Sequence, residues 1–199
     1  IDSAMYKNTI DALAKKAELL HDIVSSFGIS KYVITQIDES IHQFEETLKK
    51  TNSEIFALFI KSKGTFLYDH GYLTICFANI LLKYLDWKSE AVRNKVMMAA
   101  MYHDLAIEDP KVAFNETLSK QEILKLDQAT KEIILNHSEK VVTMLQKDGL
   151  VPDDVLKMCL NHHEGTQEGY PKSKNSVSLS QIECLFIIAH ALAIGLYKK

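Results

Sequence analysis

The chain predicts an all-α fold, a helical bundle carrying an N-terminal helical extension. Three observations lead there. Only three prolines and seven glycines occur in 199 residues, so few positions interrupt a helix. Apolar residues recur at three- and four-residue spacing along almost the whole chain, and no alternating strand pattern competes with them. A hydrophobic share of 47% beside 25% charged residues is that of an ordinary soluble domain, long enough for one substantial core.

The first helix is expected from Ser3 to Ser26, stopping near Gly28. A second, from Lys31 to Lys50, sets Val33, Ile37, Ile41, Phe44 and Leu48 on one face. A short helix from Ile55 to Lys61 ends near Gly64, and residues 1–65 together read as a leader or connector to which no chemistry attaches. The domain proper, 66–199, begins with a helix from Phe66 to Tyr84 that is apolar on several sides and hence buried. The helix from Glu90 to Leu105 carries the run VMMAAMYHDLA, and Pro110 marks its exit loop. Further helices are expected at Lys120 to Lys147, with a break near Asn136, at Pro152 to His162, and at Ser180 to Tyr197. Pro152 suits a first turn, with Asp153 and Asp154 favourable at the positive helix pole. The polar stretch GTQEGYPKSKNSVS is the longest irregular one, and such loops are often functional.

A formal charge of -3 lacks the basic excess of a nucleic-acid binder, so an anionic ligand must be drawn in by local charge. The apolar stretch CLFIIAHALAIGLY is too short for a membrane span, and no signal peptide is visible. Cys76, Cys159 and Cys184 sit in apolar runs without paired spacing, as reduced, packed thiols do; this points to the cytoplasm. The chain begins with Ile rather than Met and reads as a piece of something longer, with an input domain upstream.

Chemistry concentrates in His70, His103-Asp104, His137 and His162-His163, the last pair opening the string HHEGTQEGYP. Imidazole and carboxylate are the donors of mid-row transition metals, and a dinuclear hydrolytic site needs about six to eight of them with one carboxylate to bridge. Taken singly, each has a plainer reading. His70 suits a core histidine bonded to a backbone carbonyl, and His162-His163 suits two cations at a helix C-terminus. Asp104 is harder to read that way, because it follows Val96 to Met101 in a buried helix and an unpaired carboxylate there is costly. A second His-Asp pair, His21-Asp22, falls on what reads as an ordinary surface helix and is taken as structural; His42 is taken as solvated.

As a set, these residues resemble the HD-GYP phosphodiesterases, a branch of the HD metal-dependent phosphohydrolases, over about two thirds of the chain from Phe66 to Leu192. The strongest local match is HHEGTQEGYP against H-H-E-x-x-D-G-x-G-Y-P, one residue shorter and without the Asp-Gly pair. The resemblance implies an HD-domain bundle binding two divalent ions, iron or manganese, bridged by Asp104. One ion would be held by His70, His103 and His190, the other by His137, His162 and His163. His190 stands where the family has its last aspartate, which shifts metal preference toward nitrogen-tolerant ions, though it also suits a core histidine of the final helix. His103 and Asp104 are the implied catalytic pair, a bridging hydroxide the nucleophile, and cyclic di-GMP the substrate. Tyr170, Glu164, Lys172 and Lys174 are expected to shape the substrate-binding mouth.

The departures matter. Family members continue the doublet as H-D-x-G-K, whereas Ile107 stands at the lysine position, and Phe66 replaces a glutamate that completes a third metal site in some members. Other readings therefore stay open: a degenerate module that binds metal or dinucleotide and docks a signalling partner through the GYP loop, an HDOD-type scaffold, and an HD hydrolase of another phosphate ester. No polymeric nucleic acid or membrane is expected as a partner.

Overall fold

In the computed structural model the described residues are 3–50, 66–147, 149–165, 169–170, 172 and 178–197, and among them the regular structure is helical with no strand. Helices α1 (Ser3–Phe27) and α2 (Lys31–Lys50) form a hairpin. It turns at Gly28, whose φ of 77° is open to glycine and whose amide donates to the Val24 carbonyl at 2.8 Å. Leu13, Ala17, Leu20 and Val24 make the buried stripe of α1, and Val33, Ile37, Ile41 and Phe44 that of α2. The hairpin packs on the following helix pair and shares its core, with the Tyr72 hydroxyl donating to the Leu13 carbonyl at 3.3 Å. The short helix expected at Ile55 to Lys61 lies outside the described residues.

The domain is built around α3 (Phe66–Leu82), buried on most sides, as its composition predicts. It packs against α4 (Glu90–Tyr102), and the two come unusually close: a Cβ on Gly71 would lie 2.8 Å from the Ala100 carbonyl oxygen. That approach sets His70 beside His103. Ser89 caps the start of α4 through the Val92 amide. Its end differs from the expectation, since the helix stops at Tyr102 and not at Leu105. Tight turns follow, with Leu105 N bonded to Tyr102 O at 3.1 Å and Ile107 N to Asp104 O at 2.9 Å, and they turn Asp104 into the interior.

The stretch after Pro110 is more than an exit loop. Asp109 caps α5 (Pro110–Ala113), which tightens into the 3-10 turn η1 (Phe114–Thr117) and is followed by α6 (Lys120–Ile123) with a Ser119/Glu122 capping box. The single helix expected over Lys120 to Lys147 is thus two. The break falls before Asp127, whose side chain caps α7 (Gln128–Gln146), and α7 runs uninterrupted through Asn136. Helices α8 (Asp153–Asn161) and α9 (Gln181–Gly195) complete the bundle, α9 packing along α3. Glu183 closes the capping box of α9 with Ser180 and accepts from Asn161 Nδ2 at 2.5 Å, so the start of α9 is tied to the end of α8, where His162 sits. No described helix is long and apolar enough to cross a membrane.

A candidate metal centre among five helices

Six histidines and two carboxylates converge at the centre of the bundle, from the second turn of α3, the middles of α7 and α9, the ends of α4 and α8, and η1. The rings of four are fixed by their own helices. His70 Nδ1 donates to Phe66 O at 2.6 Å, His103 Nδ1 to Ala100 O at 3.0 Å, His137 Nδ1 to Ile134 O at 2.7 Å, and His162 Nδ1 to Cys159 O at 2.7 Å. A carbonyl only accepts, so each Nδ1 carries the proton and each Nε2 of the neutral ring presents a lone pair inward.

The Nε2 atoms nonetheless face one another at hydrogen-bond range. His70 and His103 are 2.9 Å apart at Nε2, and so are His137 and His162. Asp104 sits between the two pairs. Its Oδ2 is 2.8 Å from His70 Nε2 and 3.4 Å from His103 Nε2; its Oδ1 is 3.5 Å from His137 Nε2 and 3.6 Å from His162 Nε2. Neither oxygen has a hydrogen-bond partner of good geometry among the described residues, despite those distances. Lone pairs aimed at lone pairs in a buried space repel unless a cation lies between them. A metal ion is the group this arrangement fits.

The protonation states agree. Burial pushes His103 down to about 4, and burial with neighbouring histidines holds His162, His163 and His190 well below the ordinary imidazole range; burial also lowers His137. These rings are neutral donors at neutral pH. Burial alone would raise Asp104, but the surrounding histidines outweigh it and keep the carboxylate ionised.

The ligand atoms fall into two half-sites, His70 with His103 and His190, and His137 with His162, His163 and Glu116, with Asp104 within reach of both. All of these except Glu116 were candidates from the sequence. It lies in the FNET turn, where nothing in the spacing marks it, and only a buried carboxylate short of partners would have drawn notice. His190 is buried, and its Nε2 has no hydrogen-bond partner among the described residues. Phe66, at the position of the third-site glutamate, stacks on His70 at 4.4 Å and meets Phe114 and Tyr197 edge-on, so that side of the centre is aromatic.

The expected mouth residues are spread more widely. Tyr170 is buried and stacks on His163 at 4.3 Å, its hydroxyl unpartnered among the described residues. Glu164 is also buried, where its Oε1 accepts from the Lys172 amide at 2.6 Å and so braces the loop. Gly169 allows the chain to pass there, since a Cβ on it would lie 2.8 Å from His163 O. The Lys172 side chain is exposed, and Lys174 lies outside the described residues. Ile107 is fully buried.

One sequence expectation needs correcting. His21 is not on a surface helix face but is buried, donating from Nε2 to the Ile107 carbonyl at 2.6 Å, so that α1 clamps the turn that follows Asp104. Asp22 and His42 are exposed.

A family model described as the HD domain matches residues 67–189, a span that contains six of the candidate histidine and aspartate ligands and ends one residue before His190. No curated protein and no solved structure matches the chain.

Proposed function

Because the chain belongs to the HD-domain family of metal-dependent phosphohydrolases, we propose that it is a phosphodiesterase of the HD-GYP branch that opens cyclic di-GMP with two iron or manganese ions. The observation that carries this reading is the pair of 2.9 Å Nε2 contacts on opposite sides of the Asp104 carboxylate. Bound divalent ions would supply an acidified water and positive charge for the phosphoryl oxygens at neutral pH.

The protein's residues do the rest. Asp104 offers one oxygen to each half-site, and burial keeps His103, His137, His162, His163 and His190 neutral and ready to donate. The carbonyl bonds at Nδ1 hold four rings in place without cost at the moment of reaction. Tyr170 lies over His163 and covers that half-site with an aromatic ring. With Ile107 in the lysine position, the phosphate needs another cation. Lys140, three residues past His137, lines a cleft of about 440 Å³ with Leu105, Ala106 and Asn136, but Glu108 and Glu139 line it too, so positive charge for the phosphate would come chiefly from the ions.

A second reading, a module that binds ions and dinucleotide without turnover and docks a signalling partner, is favoured by the covering of Ile107. The turn that carries a phosphate-binding lysine in the family it resembles is here apolar and clamped by His21. Hydrolysis of cyclic di-GMP by anaerobically purified protein, with bound metal quantified on the same sample, decides between them. The phosphodiesterase reading expects turnover that Asp104→Ala abolishes. Two bound ions without turnover would establish the second reading instead.

A further inference from the structure

We propose that Glu116 is a metal ligand of the His137, His162 and His163 half-site, the second carboxylate of the centre. Its side chain is fully buried, and neither carboxylate oxygen has a hydrogen-bond partner among the described residues. Oε1 is 3.5 Å from His137 Nε2 and Oε2 is 3.7 Å from His163 Nε2. Its oxygens group with those two nitrogens and His162, and also with His70 and Asp104. A carboxylate in that position without a cation faces only lone pairs and a second carboxylate, which is among the costliest placements a protein interior can hold.

Local structure delivers it there deliberately. Asp109 and Pro110 start a helix that tightens at Phe114 into a 3-10 turn, Asn115 Nδ2 donates to Val112 O at 2.9 Å, and Thr117 Oγ1 donates to Phe114 O at 2.8 Å. The Phe114 ring anchors the turn edge-on against Phe66 at 5.5 Å. Glu116 is thereby the one residue of the turn that is buried, and it points at the histidines.

Charge balance gives the placement a reason. Six neutral imidazoles and Asp104 offer two divalent ions a single negative charge. His190 adds a donor at the His70 half-site but no charge. Glu116 supplies the missing anion at the opposite half-site, which makes the two positions unlike: one is nearly all nitrogen, the other mixes nitrogen with carboxylate and favours the harder ion. This inference rests on the metal-centre reading but not on the substrate.

The test is manganese binding to the full chain after chelation, followed by spin resonance and calorimetry, on wild type and Glu116→Gln. Wild type is expected to take two ions that are magnetically coupled. The amide variant should keep the first and bind the second at least about tenfold more weakly, since even groups behind the ligands change affinity by that much. Metal-free Glu116→Gln should also melt no lower than metal-free wild type, because the amide replaces a desolvated carboxyl that faces Asp104; a residue with only a structural role would lower that melting point. Unchanged binding of both ions by Glu116→Gln overturns the proposal, as does a variant that loses metal only in step with a lower metal-free melting point. If Glu116→Gln loses the second ion as expected while wild type turns over no cyclic di-GMP, this proposal stands and the phosphodiesterase reading falls.

Discussion

Acidification should destabilise the metal-free protein, and the size of the effect can be worked from one ring. Burial lowers His103 from 6.5 to about 4. As pH falls through that window the unfolded chain takes up a proton that the folded state refuses, so stability is lost on going down and regained on going up. At about 1.4 kcal/mol per pH unit, the step from about 6.5 to about 5 costs roughly 2 kcal/mol from His103 alone. His137, His162, His163 and His190 are shifted the same way, although protonating one ring raises the cost of the next, so their shares do not simply add. Glu116 opposes them. Burial first, then Asp104 beside it, raise its carboxyl well above the usual range, so its protonation on acidification relieves the folded state. Asp104 is held low and stays ionised across this window. Five histidines against one opposing carboxyl leave a net loss on acidification, and the roughly 2 kcal/mol from His103 alone is a sizeable part of the roughly 5–15 kcal/mol of a typical domain. Urea denaturation of chelated protein at about pH 7 and about pH 5 measures it as a fall in midpoint at constant slope. Metal-loaded protein should fall more steeply, since protons then compete with the ions. A midpoint that is equal or higher at the lower pH would refute the picture of a neutral, desolvated histidine cluster.

Two further outcomes follow from close contacts. Gly71→Ala places a methyl group 2.8 Å from a backbone oxygen that cannot swing aside, so α3 and α4 must separate; a loss of about 1–3 kcal/mol is expected, with weaker metal binding because His70 and His103 part. Thermal unfolding and metal content, measured together, check it, and an unchanged metal content would mean that the helix spacing does not set the site. His21→Ala removes the donor to the Ile107 carbonyl and should cost about 1–3 kcal/mol, with faster amide exchange over residues 104–107; unaltered exchange there would show that α1 does not hold the turn.

The helices were legible because their signals are local. The face of α2 announces itself by period, and the buried run of α3 by its lack of one. The histidines and Asp104 were legible as a set because an ionisable group inside an apolar run contradicts its surroundings. Other features depend on contacts that no spacing reveals. Asp127 outcompetes the continuous apolar pattern by capping a new helix, which moved the expected break away from Asn136. His103 and Asp104 leave α4 because the chain turns inward at Tyr102, a tertiary choice. Glu116 sits in a short polar-looking turn, and only the third dimension brings it against His137. His21 carried a faint sign, since it stands four residues past Ala17 on the buried side of α1, but its partner at Ile107 is distant in the chain.

Four of the ligand rings take their orientation from carbonyls three or four residues back in their own chain segment, and none of these bonds crosses to another helix. Each ring therefore moves with its segment as one piece, with no slack between backbone and ligand atom. Any sliding of α3 against α4, or of α7 against α8, is passed to the gap between two Nε2 atoms, and ions, once bound, would clamp those segments against such sliding. The centre is thus a gauge of how the bundle is assembled as well as a place where ions are held, and whatever presses on the outside of these helices is written into its geometry.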